Sequence, residues 1–284
     1  MKALSRVTWQ YAAIALLAVT AAAFGLLRPQ LGATASSSNK KLSATDRVKK
    51  NPPPSLFTDA EITPIGKQAD AQRKKADTLF AQWEKAHGTT RDDKAFATWA
   101  ALQVPAPPTA KERTAELRQV QQLARARTAA GRKAATWLEL NGKKDIWKLY
   151  LHDQRELTPA PRGKAEKAEL TSALKLAKAI SDQVAARDRQ PAPFVMDPTL
   201  RPEKHIKPGA KGPYSYPSSH ASRSAAAVTF LGALSPRRAG DYRWMQAEVL
   251  YSRLYMAGHV TGDLTAGTLL GDLIGDYELA ISGH

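Results

Sequence analysis

The chain has 284 residues, a formal net charge of +16, 43% hydrophobic residues and no cysteine. That hydrophobic share excludes a chain disordered throughout, and the lack of cysteine excludes a disulfide framework, a thiolate metal site and lipid anchoring through an N-terminal cysteine. The positive excess favours anionic partners such as phosphorylated substrates or lipid headgroups, but the basic residues are spread along amphipathic segments without interleaved aromatics, so nucleic acid is not an expected partner.

Residues 1–35 read as a targeting segment. Lys2 and Arg6 precede an apolar run over 11–27, and Ala33-Thr34-Ala35 offers an A-x-A cleavage site ahead of a serine cluster. The run is longer than a usual signal core and short for a spanning helix, so the segment is either a signal peptide or an N-terminal membrane anchor. Both place the remaining chain outside the cytoplasm: periplasmic, secreted, or held on the outer face of the membrane. Residues 36–60 are polar and proline-rich and read as a tether. No later run is long enough to cross a bilayer, so 61–284 is expected to form one soluble helical domain.

Within that domain the apolar spacing predicts a helix over 67–87, with Ala76, Leu79, Phe80 and Trp83 on one face and Gly88 as a stop. A break at 104–108 leads into Thr109 and Glu112, a capping-box pair, and then a helix through Leu117, Val120 and Leu123. Trp137, Leu138, Ile146, Trp147 and Tyr150 surround Asn141-Gly142 and read as core. After a second break at 158–163, Leu170, Leu174, Ala177 and Val184 share another helical face. Strand signals are scarce. The fold class is therefore all-α, a single helical bundle with its active site between helices.

Two stretches near the C-terminus carry chemistry. At 217–220 the chain reads PSSH, ahead of a helix rich in small residues. Ser218 is a natural N-cap, which points the backbone N–H groups of Ser219 and His220 at an anion. At 252–263 it reads SRLYMAGHVTGD, a spacing of S-R-x5-H-x3-D. Arg253 supplies a fixed cation, His259 an imidazole, and Asp263 a carboxylate that can orient it, either one turn along or as the cap of the next helix. Gly258 can end the preceding helix and so turn His259 toward Arg253, and Gly267, Gly271 and Gly275 recur at a spacing that allows close packing. His87, His152, His205 and His284 have no such company and read as surface residues.

These stretches resemble the type 2 phosphatidic acid phosphatase superfamily, which includes the class A nonspecific acid phosphatases and the vanadium haloperoxidases. Its three motifs are K-x6-R-P, P-S-G-H and S-R-x5-H-x3-D. The third is matched without departure, the second with Ser219 in place of glycine, the first poorly. With Pro193-Phe194 aligned to the family's proline and aromatic, Ala192 stands where an arginine is expected. Arg187 and Arg189 are near enough in sequence to replace the lost cation, although a solvated helix end would carry the same residues. Arg201, Lys207 and Lys211, on the loop before the second motif, are set lower still.

The resemblance implies a metal-independent phosphatase. In it His259 attacks phosphorus to form a phosphohistidine, Asp263 fixes the imidazole tautomer, and His220 protonates the leaving alcohol and later activates water. Arg253, Ser218, Ser219, Arg187 and Arg189 would bind the phosphoryl oxygens. No cofactor is implied, and vanadate is expected as an inhibitor. The partner is a small phosphorylated substrate, lipid phosphates included. Two alternatives stay open: a haloperoxidase holding vanadate as cofactor in the same cradle, and a catalytically inactive envelope protein that binds phosphate or an anionic polymer.

Overall fold

The structure, a computed structural model, describes residues 43–157, 163–200 and 214–284; the targeting segment over 1–35 lies outside them. Among the described residues there are eleven α-helices and no strand, the all-α class the sequence predicts. None of these helices is long and apolar enough to cross a membrane.

The described residues up to Asn51 and those from Pro52 onward fall into separate compact units. The first holds helix α1 (Ala44–Lys50), started by a capping box in which Ser43 Oγ accepts the Asp46 N–H at 3.1 Å. The second begins inside the stretch expected to be tether. Phe57 is buried there, its ring 4.7 Å from that of Tyr251 and 5.0 Å from that of Tyr255. Helix α2 (Asp59–His87) starts ahead of the expected residue 67, because Thr58 and Glu61 form a capping box and Ile62 and Ile65 are already buried.

Helices α3 (Asp93–Gln103), α4 (Ala110–Arg125), α5 (Ala129–Asn141), α6 (Asp145–Leu157) and α7 (Gly163–Asp188) follow, then the short α8 (Pro193–Met196). The C-terminal part is α9 (Ser219–Leu234), α10 (Ala239–Tyr255) and α11 (Thr261–Ser282). Of these, α3 was not anticipated; it is held by Phe96, which stacks on Tyr277 at 3.9 Å while the Tyr277 hydroxyl accepts the Asp92 N–H at 2.8 Å.

Helix α11 is the axis of the bundle, packed against α9, α2, α7 and α3. Leu264, Leu269, Leu270, Leu273 and Ile274 are all fully buried along it. Its glycines face α9: a Cβ on Gly267 would lie 2.9 Å from that of Ala221, and one on Gly271 only 2.7 Å from that of Ala225. The two backbones therefore approach more closely than any larger residue permits, which fixes the start of α9 beside the start of α11. Helix α10 is buried on nearly every side against α9, α2 and α5. Helices α4 and α5 come close to the end of α10 and the beginning of α11, and the candidate site lies there.

Candidate active site

The second motif is pinned before its helix begins. The Ser218 N–H donates to the carbonyl of Asp263 at 2.9 Å, and Ser218 Oγ accepts the Ala221 N–H at 3.3 Å as the cap of α9. Ser218 is fully buried and Ser219 half-buried, so the first turn of α9 sits against the first turn of α11.

The third motif spans the corner between α10 and α11. Helix α10 ends at Tyr255, and Ala257 takes the left-handed conformation with φ of 56°. The N–H groups of Gly258 and His259 then turn back to the carbonyl of Arg253, at 3.0 and 3.3 Å. Gly258 has a different part from the helix stop that the sequence suggests. A Cβ there would lie 2.6 Å from Nη2 of Arg253, so the missing side chain makes room for the guanidinium. Arg253 is itself buried, at 3% exposure.

His259 meets two acceptors through one nitrogen. Its Nδ1 lies 3.0 Å from the carbonyl of Ser215 and 3.5 Å from Oδ2 of Asp263. A carbonyl only accepts, so Nδ1 carries the proton and Nε2 keeps its lone pair. Burial lowers the imidazole's proton affinity below the ordinary histidine value, and Asp263 partly offsets this. Asp263 fills both of its expected places: it is the i, i+4 neighbour of His259, and its Oδ2 accepts the Val260 N–H at 3.1 Å at the start of α11. Burial alone would raise this carboxyl, but His259 and Arg113 outweigh it and hold Asp263 below the ordinary carboxylate range.

Arg113, from α4, completes that arrangement. Its Nη1 donates to Asp263 Oδ1 at 2.9 Å and its Nη2 to Ser215 Oγ at 2.9 Å and to the carbonyl of Pro191. One buried guanidinium thus positions both groups that face Nδ1 of His259. Next to it, Glu116 Oε1 accepts the Gly262 N–H at 2.7 Å, satisfying one of the free amides at the start of α11.

His220 stands across from His259, with ring centroids 6.4 Å apart. Its Nε2 lies 3.3 Å from the carbonyl of Glu139 and 3.3 Å from the Glu139 carboxylate. By the same logic Nε2 carries the proton. Burial holds this imidazole well below the ordinary value, a loss that Glu139 partly offsets. The Glu139 carboxylate also contacts Nη1 of Arg253, and its other oxygen is 3.4 Å from Lys143 Nζ, one turn further along the chain. Burial would raise the Glu139 carboxyl, but Arg253, His220 and Lys143 drive it far below the usual range.

The structure therefore brings His220, Arg253, His259, Asp263, Ser218 and Ser219 together at one corner of the bundle. Arg187 does not join them: it forks onto Asp188 at 2.6 and 2.9 Å and donates to the carbonyl of Ala101. Arg189 is exposed and donates to the carbonyl of Ala186 at 3.2 Å. Both are ordinary helix-end residues here. Of the cations ranked lower, Arg201, Lys207 and Lys211 lie outside the described residues, yet the sequence shows that Arg201 precedes Pro202. An alignment centred on this pair keeps the Arg-Pro of the first motif and places Phe194 where its lysine would stand.

Three site residues went unread in the sequence. Arg113 had a signal, because it falls seven residues before the buried Val120 and so shares the inward face of α4. Glu139 and Lys143 had none, since an i, i+4 pair of opposite charges is the ordinary pattern of a solvated helix face. Among the described residues no group of histidine and carboxylate side chains is arranged to hold a metal ion.

Residues 170–277 match the family model of the PAP2 superfamily. Among solved structures, a transmembrane PAP2-type phosphatidylglycerolphosphate phosphatase from Bacillus subtilis is similar at 15% identity and a TM-score of 0.45, over 67% of this chain and 94% of that one. A comparison with curated proteins gave no match. The matched segment carries His220, Arg253, His259 and Asp263, whereas Arg113 and Glu139 reach the site from helices ahead of it and Lys143 from the turn that follows α5. Residues 170–277, which hold both motifs, are thus similar to the PAP2 superfamily.

Proposed function

We propose that the chain is a phosphatase that hydrolyses phosphomonoesters through a phosphohistidine on Nε2 of His259. The observation that carries this reading is the engagement of Nδ1 by Ser215 and Asp263, which leaves Nε2 as the basic, nucleophilic nitrogen. As Nε2 bonds to phosphorus, positive charge develops on the ring, and the buried Asp263 carboxylate facing Nδ1 stabilises it. The bond from phosphorus to the ester oxygen breaks, and His220, which enters this step as the imidazolium with Nδ1 also protonated, passes its Nε2 proton to the departing alkoxide; the negative charge of the bound phosphoryl group favours that form against burial. In the second step His220, now neutral with its Nε2 lone pair exposed, takes a proton from water; the hydroxide attacks phosphorus, the bond to His259 breaks and phosphate leaves. Charge spread over the phosphoryl oxygens is met by Arg253, by the amides opening α9 and by Lys143.

No metal is required in this scheme, and the substrate is a small phosphorylated molecule, lipid phosphates included. The targeting segment over 1–35 supports export, with the catalytic unit working in the periplasm, in the medium or on the outer membrane face. The test is turnover of a chromogenic nitrophenyl phosphate by the purified chain. Activity is expected to survive a chelator and to be inhibited by vanadate, a mimic of the phosphoryl transition state. Loss of turnover with the chelator, restored by zinc or magnesium, overturns the histidine mechanism. Peroxide-dependent halide oxidation in the presence of vanadate would instead select the haloperoxidase chemistry.

A further inference from the structure

A phosphoryl group bound for the proposed reaction must touch Arg253, lie within reach of the Nε2 proton of His220, and sit between the two imidazoles. In this structure an anion already meets two of those demands, and it belongs to the protein. The Glu139 carboxylate contacts Nη1 of Arg253, lies 3.3 Å from Nε2 of His220, and is paired through its second oxygen with Lys143 at 3.4 Å. His259 is within electrostatic range of it as well.

We propose that Glu139 is a built-in competitor of the phosphoryl group, a carboxylate that fills the anion cradle of the resting site and must be displaced for substrate to bind. This rests on the phosphatase reading above and assigns the site a specificity-determining residue. The geometry makes displacement feasible. The Glu139 side chain is 18% exposed and that of Lys143 is 38% exposed, while Arg253 and His220 behind them are 4% and 5% exposed, so the pair stands at the mouth of the cradle. A rotamer change at Glu139 alone would free Arg253 and leave the His220 Nε2 proton facing only the Glu139 backbone carbonyl, with Lys143 left beside the incoming group. Arg253 Nε has no hydrogen-bond partner here, so a fuller set of acceptors than one carboxylate offers can be accommodated. A tetrahedral phosphoryl group supplies three oxygens where Glu139 supplies two. Weakly charged or small anions gain too little to displace Glu139, and the site is thereby biased toward phosphoryl groups over carboxylates and sulfonates.

The test is direct binding of inorganic phosphate by isothermal titration calorimetry to the full chain, as wild type, Glu139→Gln, Glu139→Asp and Arg253→Ala. Removing the competing charge-assisted contacts should tighten phosphate binding by about ten- to hundredfold in Glu139→Gln. Glu139→Asp keeps the charge but withdraws the carboxylate by one methylene, and should lie between the two. Arg253→Ala should bind phosphate more weakly than wild type. Should Glu139→Gln fail to fold, the aspartate variant decides alone. Phosphate affinity unchanged or weakened in both Glu139 variants, with wild type binding and turning over, overturns the proposal and leaves the phosphatase reading standing. Absence of phosphate binding and turnover in every protein, wild type included, removes the phosphatase reading and the proposal with it.

Discussion

Replacing Arg113 by methionine tests how much of the site's order comes from a residue outside the matched family segment. Arg113 is 3% exposed and its partner Asp263 is fully buried, with 2.9 Å between Nη1 and Oδ1. Methionine keeps much of the stem but strands a buried carboxylate, a change that costs about 3–5 kcal/mol when one partner of such a pair is removed. Urea denaturation at pH 7 should show that loss as a lower midpoint with an unchanged slope. The pH dependence supplies a second reading. In the wild type the Asp263 carboxyl is held below its ordinary 3.8, so its contribution to stability is fully present above that value and lost as pH falls through the lower folded value. In Arg113→Met burial is opposed only by His259 and the Val260 amide, so the carboxyl rises and this acid-linked loss shrinks or reverses. Turnover should fall as well, because Ser215, whose carbonyl accepts the hydrogen bond from His259 Nδ1–H, loses the Arg113 donor that holds its hydroxyl. A stability loss under about 1 kcal/mol, with the wild-type pH profile and unchanged turnover, would refute this view of Arg113.

Gly258→Ala places a methyl group 2.6 Å from Nη2 of Arg253, so the guanidinium must move; KM in the nitrophenyl phosphate assay should rise by at least about tenfold, with about 1–3 kcal/mol of stability lost to overpacking. Glu248 is a fully buried carboxyl raised to about 8, chiefly by burial, against a 3.2 Å hydrogen bond from the Phe57 N–H. Its folded value exceeds the unfolded 4.5, so the wild type loses stability as pH rises from about 4.5 to 8; Glu248→Gln should flatten that loss and gain about 2–4 kcal/mol at pH 8 by denaturation. His220→Ala removes proton transfer, worth about 10²–10⁴-fold. It should slow esters of poor leaving alcohols far more than a nitrophenyl ester, and equal losses on both would contradict its role as the acid.

The helical class and the close packing at the α11 glycines were legible because they depend on local pattern, whereas the identity of α9 as the helix they meet was not. Small residues recur at Gly267, Gly271 and Gly275, and α9 opens with a serine cap, so the close approach of two backbones was written into the spacing. The His259–Asp263 relation was legible for the same reason, being one helical turn long. Contacts between distant segments were not. Arg113 pairs with a residue 150 positions away, and Glu139 meets His220 at a separation of 81, distances over which periodicity carries no information. The cation expected from the degenerate first motif was sought at Arg187 and Arg189, where the helix end offered charges. Their guanidinium groups are instead satisfied locally, by Asp188 and by backbone carbonyls of Ala101 and Ala186. The tether differed too, since a single buried aromatic, Phe57, and the Thr58 cap suffice to draw the chain into the packed unit from Pro52 onward.

The covalent intermediate is the center of the proposed mechanism, and rapid-quench trapping tests for it directly. Wild type mixed with a radiolabelled phosphomonoester should accumulate an acid-labile, base-stable phosphoenzyme within the first turnover, and His259→Ala should form none while losing turnover by several orders of magnitude. His220→Ala should still be labelled by an activated ester and should release its phosphate more slowly than wild type. A His259→Ala protein that still accumulates acid-labile phosphoenzyme, or a wild type that turns over with no trapped intermediate and no burst, would contradict nucleophilic catalysis by His259.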